Sequence, residues 1–359
     1  MSLSAPHAAI AGAGLAGRLV AWRLARAGWR VSLFDARSRS DTRSASHVAA
    51  AMLSPLAERA SADDAVFALG QQSMDLWPGW IDELQADSGR SVYFRREGTL
   101  VVAHAADAGT RAQFEGRLRH GLTPSQLSPL KALDASALAV LEPALAGRFT
   151  QGLLLEGEGQ LANDELLLAL ETVLTRAPHV WHERCEVLSV KARRIAHAQG
   201  VCEADLVVDT RGLGALPDWP GLRGVRGEVI TVACEAVSLR RPVRLMHPRY
   251  PLYVVPRRQH RFVIGATELE SQDDGPITLR SVLELGSALY SLHPGFGEAR
   301  VLSTSASLRP AFDNHRPVLR CQRGVWQLNG LFRHGYLCAP ALVASLVGQL
   351  EQPAPLEVM

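Results

Sequence analysis

Lysine is almost missing from this 359-residue chain: Lys131 and Lys191 stand beside 36 arginines. The 38 basic and 36 acidic residues nearly cancel, to a formal net charge of +2, which leaves no electrostatic footprint for a nucleic acid. Cysteine pairing is missing too. Cys185, Cys202, Cys234, Cys321 and Cys338 form neither a C-x-x-C nor a metal-ligand spacing. That excludes a disulfide framework and fits free thiols in a reducing, cytoplasmic setting. His179 and His182 in "HVWH" lack a third ligand nearby, so they read as strand residues and no metal site is expected. No apolar run is long enough to cross a membrane, and the N-terminal one is broken by Arg18 and Arg23, so neither a span nor a secretory leader is expected. With arginine so abundant, no single arginine marks a site by itself. Metal hydrolase and nucleic-acid binder are set aside; a globular enzyme with ample core remains.

What is present begins with "HAAIAGAGLAGRLVAWRLARAGWRVSLFDA", His7 to Ala36. Residues 8–11 read as a short strand and Gly12-Ala13-Gly14-Leu15-Ala16-Gly17 as a glycine turn. A helix over 15–27 follows, with Arg18, Arg23 and Arg26 on its solvated side, then a second strand over 29–34 ending at Asp35. The first glycine permits the tight turn, the second lets pyrophosphate approach the backbone, and the third lets helix and strand pack. The helix N-terminus offers free N–H groups and partial positive charge to the phosphates. Asp35, 23 residues after Gly12, stands where an acid accepts ribose hydroxyls. The unit as a whole predicts a dinucleotide site.

Helical spacing runs over 62–84, with an interruption expected at Pro78. Residues 98–105 and "QGLLLEGEGQL" read as strands, 106–120 as a helix, and Asn163 as the N-cap of a helix through Leu174. Strands over 186–190 and 205–208 precede an antiparallel meander over 227–267, with a hairpin loop at 257–260. A helix over 279–292, the strand "GVWQLNG" and a helix starting near Gly335 close the chain. The βαβ elements lie at both ends and the meander between them. The expected fold class is therefore α/β: a discontinuous Rossmann-like cofactor domain (1–85, 146–225 and 300–359) with an α+β substrate domain carrying an antiparallel sheet (86–145 and 226–299). The late "NGLFRHGYLCAP" can then return to the cofactor that the early glycines open onto.

Five blocks in one order carry a family resemblance: "AGAGLAG" with Asp35, "SHVAAAMLSP", "VRGEV", "LYVVPRRQHRFVIGATELE", and "LRPAFDNHRP" with "NGLFRHGYLCAP". Together they resemble the D-amino acid oxidase superfamily across nearly the whole chain, nearest its glycine oxidase branch of thiamine biosynthesis. The resemblance implies FAD, which the glycine turn alone does not distinguish from NAD. By position it implies that Gly12, Gly14, Leu15, Ala16, Gly17, Asp35 and Ala36 hold the ADP half, with Val187 at the adenine and Gly212 beside the cofactor. Ser46, Ala51 and Met52 would lie by the flavin ring, and His334, Gly335, Tyr336 and Leu337 would close over its end through backbone groups. Tyr253, Arg309 and Arg333 fall on substrate-pocket positions, the two arginines also bordering the cofactor, with Arg309 the expected carboxylate clamp. Three departures stand out: "AAM" for the family's "AGM", Glu268 after "GAT", and Asp209 with Arg211 in "VVDTRGLGA". Related sarcosine oxidases carry their flavin-linking cysteine near Arg309-Pro310, so non-covalent FAD is expected here.

The implied chemistry is hydride removal from the α-carbon of glycine, a small amino acid or a secondary amine, giving an imine for thiazole synthesis. The cofactor supplies the reactivity, so no catalytic cysteine or histidine is required. A guanidinium suits the clamp because its fork matches a carboxylate. Glu268, placed with Glu270 on one side of an expected strand, would attract the substrate ammonium and shape preference. The electron acceptor, O2 or another, stays open, as do a homo-oligomer, a D-amino acid dehydrogenase, a sarcosine-oxidase-like enzyme and a non-catalytic flavoprotein module.

Overall fold

The computed structural model describes residues 5–247 and 252–351. Residues 1–4 and 352–359, counted above with the cofactor domain, and 248–251, counted with the meander, lie outside the described residues.

Apolar strands feed a parallel sheet at the N-terminus. His7–Ala11 pairs with Arg30–Phe34 on one side and Leu206–Asp209 on the other. Val180–His182 and Val325–Asn329 extend it in parallel, and Val318–Gln322 adds an antiparallel edge. Helix Leu15–Arg26 connects the first two strands and packs on the C-terminal helix Gly335–Glu351. This is a Rossmann-like layer whose strands come from both ends of the chain.

A second, eight-stranded sheet carries the meander. Arg223–Ala233 pairs antiparallel with Arg261–Gly265 and with Arg300–Ala311, and Leu252–Pro256 pairs with Arg261–Gly265 around the expected hairpin loop. Helix Leu279–Leu292 packs on Arg223–Ala233, Leu252–Pro256 and Arg261–Gly265 of this sheet. Strands Gln151–Leu155 and Arg300–Ala311, counted above with the cofactor domain, pair inside this second sheet because their hydrogen-bonding partners lie there. We propose to draw the division between the two sheets.

Four local expectations change. Arg18 is buried, not solvated: its Nε donates to Ala13 O (2.8 Å), its Nη1 to Leu167 O (2.9 Å), and it lies over Trp181. Helix Asp64–Ser88 runs through Pro78 without a break. The carbonyl left free because Pro78 has no N–H, Met74 O, accepts Arg96 Nη1 at 3.3 Å instead. Asn163 does not cap its helix; its Nδ2 donates to Ser46 O and His47 O, holding the loop before Met52. "QGLLLEGEGQL" divides at Glu156-Gly157-Glu158 into strands of two different sheets, Gln151–Leu155 and Gly159–Leu161.

Candidate functional site

A cavity of about 970 Å³ runs between the two sheets, near the top of the roughly 300–1,000 Å³ range of ligand pockets. Every site residue expected from sequence lines it except Gly17, which sits behind the glycine turn.

The first end is made of backbone. Gly12 has φ +95°, and a Cβ there would lie 2.6 Å from Thr210 O. A Cβ on Gly17 would lie 1.8 Å from Gly12 O, so the turn closes only on a hydrogen. A Cβ on Gly14 would meet nothing within 4 Å, which leaves the space that a ligand phosphate needs. Asp35 accepts Ala13 N (2.7 Å) and Arg37 N (2.8 Å), fixing the turn to the second strand while each oxygen keeps a lone pair.

In the middle, the stretch through Ser46, Ala51 and Met52 faces the start of helix Gly335–Glu351. Tyr336 Oη donates to Ser46 O (2.8 Å) and Trp77 Nε1 to Tyr336 O (2.9 Å), docking that helix start. Arg257 reaches from the hairpin loop to donate to Ala50 O (2.6 Å), and Ala51 adopts φ +48° beside it. A non-glycine residue held at positive φ in a cavity wall is strain of the kind that ligand sites keep. Asn329 Nδ2 ties the late loop to Gly212 O (3.0 Å), and Phe332 N donates to Pro310 O (2.8 Å).

Side chains make the far end. Arg309 extends across the neighbouring strand at Gly227, where a Cβ would lie 2.0 Å from its Nη2. Its Nη2 donates to Thr267 O (3.1 Å), while its buried Nη1 has no partner. Burial lowers the pKa of this guanidinium, with Tyr253 and Glu268 acting against the shift. Burial raises that of Tyr253, whose ring lies over Gly265, so its phenol stays protonated. Arg333 is held at three points: Nε to Glu58 Oε2 (2.9 Å), Nη1 to Glu268 Oε2 (2.7 Å), and Nη2 to Ser61 Oγ.

Glu58 organises this end and was not singled out from sequence. It receives Arg244 Nη2 (3.2 Å) and Arg333, and His334 Nδ1 lies 3.2 Å away. Burial would raise its pKa, but Arg333, His334 and Arg244 outweigh burial and hold it well below the usual carboxylate range. Its only sequence signal is the acid ending "VAAAMLSPLAE". The strand expected through Glu268 and Glu270 stops at Gly265; beyond it only Leu269 bridges back, to Arg226. Alternation therefore does not govern the two acids. Glu268 lines the cavity on Arg333, and Glu270 pairs with Arg223 at 3.2 Å.

A turn that only glycine can close stands at one end of a long cavity, and a buried arginine with one free nitrogen at the other; the class is a dinucleotide-dependent oxidoreductase. Among the described residues no cluster could hold a metal ion. The sequence profile of the FAD dependent oxidoreductase family matches residues 7–350, and the chain belongs to that family. It is 41% identical over 346 residues to a Rhizobium etli protein assigned as the thiamine biosynthesis oxidoreductase ThiO, covering 96% of this chain and 97% of that one. It is 26% identical over 363 residues to a glycine oxidase of Geobacillus kaustophilus, covering 96% and 93%. The crystal structure of glycine oxidase from that organism superimposes with a TM-score of 0.82 at 24% identity, covering 97% and 96%.

Proposed function

We propose that this enzyme oxidises glycine, or another small amino acid or secondary amine, at the α-carbon, and that the imine feeds thiazole assembly in thiamine biosynthesis. The observation that carries the reading is Arg309 Nη1, a buried guanidinium nitrogen without a partner in the wall of a cofactor-sized cavity. The ThiO and glycine oxidase relatives support the choice of substrate and pathway. Gly12, Gly14, Leu15, Ala16, Gly17, Asp35 and Ala36 would hold the ADP half of FAD, with Val187 and Gly212 beside it. Ser46, Ala51, Met52 and the backbone of His334 to Leu337 would receive the flavin end. Bound FAD supplies the acceptor for a hydride from the substrate carbon.

The chain's own residues set geometry. Arg309 Nη1 pairs with the substrate carboxylate, and the Tyr253 hydroxyl, protonated through burial, donates to it. Arg333, fixed by Glu58 and Glu268, walls the chamber so that a small amino acid can sit in one orientation. Such positioning contributes several kcal/mol to a reaction barrier. We place the enzyme in the cytoplasm, consistent with five free cysteines. No helix among the described residues is long and apolar enough to cross a membrane. The test is peroxide formation across glycine, sarcosine and both series of small amino acids. Glycine is expected to turn over best. Preference for sarcosine or a D-amino acid would reassign the substrate, turnover without peroxide would name another electron acceptor, and no turnover of any amine would overturn the reading.

A further inference from the structure

One buried group in the far chamber has no part in placing the substrate. His334 is 1% exposed and lines the cavity, yet neither ring nitrogen has a hydrogen-bond partner. Nδ1 lies 3.2 Å from Glu58 Oε2, within reach of that carboxylate, whereas nothing stands at Nε2. The backbone on either side is fixed: His334 N donates to Leu331 O and its carbonyl accepts Cys338 N, both at 2.8 Å. A polar ring held this way costs free energy unless a ligand completes it.

The substrate brings a matching need. An amino acid arrives as its ammonium form, and hydride can leave the α-carbon only when the nitrogen lone pair is free to form the C=N bond. Few groups in the chamber can take that proton. Glu58 is hemmed by Arg244 and Arg333, Glu268 gives an oxygen to Arg333, and Tyr253 keeps its own proton. Imidazole is the side chain whose class exchanges protons near neutrality.

We propose that His334 Nε2 is the general base that takes the substrate ammonium proton. The N–H bond breaks, its electron pair stays on the substrate nitrogen, and the proton forms Nε2–H. The positive charge moves to the ring, where the Glu58 carboxylate balances it at 3.2 Å. No oxidant enters this step. The groups facing the ring are Glu58 from helix Pro55–Arg59, Arg333 on its own loop, and the Phe332 ring at 5.6 Å. His315 stacks beyond Phe332, and Arg244 acts through Glu58. The inference rests on the small-amino-acid reading above.

The experiment uses the holoenzyme and two readouts. The first is kcat/KM between pH 6 and 10 for the best amine of the peroxide screen. His334→Gln should lower it on the order of 10²-fold near pH 7, a typical general-base contribution. The gap should narrow to a few-fold at pH 10, where the substrate loses its proton in solution. The second is proton release when 2-aminoisobutyrate, which has no α-hydrogen, binds at pH 7, measured by calorimetry in buffers of different ionisation enthalpy. Wild type should release almost none and His334→Gln about one proton per site. A deficit constant with pH, or equal proton release by both proteins, overturns the proposal. If His334→Gln purifies without flavin, Glu58→Gln replaces it. Removing the counter-charge should move the acid limb of the profile to lower pH, and an unmoved limb counts against the proposal. Wild-type holoenzyme that oxidises no amine would sink the substrate reading instead.

Discussion

At the glycine-turn end of the cavity, backbone packs tightly at Gly12 and Gly17 and leaves open space only on the Cβ side of Gly14. At the Arg309 end the walls are side chains from widely separated segments, the charged Glu58, Arg244, Glu268 and Arg333 with the neutral Tyr253. The first end tolerates almost no added atom, whereas the second is held by ion pairs that can re-form around a change. The cofactor end should therefore fail as a unit, and the substrate end by degrees.

Gly17→Ala offers the severest test of that contrast. Its new Cβ would fall 1.8 Å from Gly12 O, a backbone atom that cannot swing aside. The glycine turn must open, and overpacking of this kind costs about 1–3 kcal/mol or more. Purified Gly17→Ala should be colourless, with flavin absorbance near zero. A yellow, fully loaded variant would show that the turn does not depend on close helix packing.

Arg309→Ala should do the reverse, keeping flavin and losing turnover. Hydrogen bonds to charged groups contribute roughly 1.5–3 kcal/mol each, so kcat/KM should fall on the order of 10²-fold or more. Gly227→Ala tests the same clamp without removing the guanidinium. A Cβ 2.0 Å from Arg309 Nη2 would push the mobile end of that side chain aside, so KM should rise while the fold and the yellow colour persist. Ordinary kinetics in both variants would move carboxylate recognition elsewhere, with Arg333 the next candidate.

The same contrast explains what was legible in the sequence. His7 to Asp35 is a local signal: strand, turn, helix and strand follow one another with fixed spacing, and the fold reproduces them within a residue or two. Helix Leu279–Leu292 and the helix start at Gly335 were readable for the same reason. Glu58 was not, because its role exists only where Arg244, Arg333 and His334 converge from other parts of the chain. Arg18 misled because helical spacing shows which face a residue occupies, not that Leu167 and Trp181 cover it. Pro78 misled because Arg96, 18 residues later, satisfies the freed carbonyl.

Two acids at one short helix, one in the cavity wall and one outside it, sharpen the contrast. Glu58 projects from Pro55–Arg59 into the arginines, whereas Glu158 lies buried behind it, with Oε1 accepting Ala57 N (2.8 Å) and Oε2 without a partner. Burial pushes the Glu158 carboxyl up to about 7 from its ordinary 4.5, against the pull of Arg244. A carboxyl raised in the folded state binds its proton more tightly there than in the unfolded chain. Its contribution to stability is thus present below about pH 4.5 and is lost as pH rises toward about 7. Glu158→Gln keeps an oxygen for Ala57 N and removes the ionisation. Relative to wild type it should gain stability across that window, by up to a few kcal/mol in urea unfolding of the holoenzyme, and no more above it. A stability difference flat from pH 4.5 to 8 would mean that Glu158 ionises normally.

The smallest effect is expected at the cavity rim. Glu268 pairs with Arg333 at 2.7 Å, but its side chain is 43% exposed, so the pair is worth at most about 1 kcal/mol. Arg333 also keeps Glu58 and Ser61 when Glu268 is gone. Glu268→Met should leave flavin content unchanged and keep glycine turnover within a few-fold of wild type. Replacing a carboxylate with an apolar side chain removes a charge that a bulky apolar substituent would have to desolvate. The ratio of kcat/KM for a larger apolar amino acid to that for glycine should therefore rise by a few-fold, because only the rim has changed. An unchanged ratio would reduce Glu268 to a tether for Arg333, whereas a change well beyond 10-fold would place its carboxylate against the substrate side chain itself.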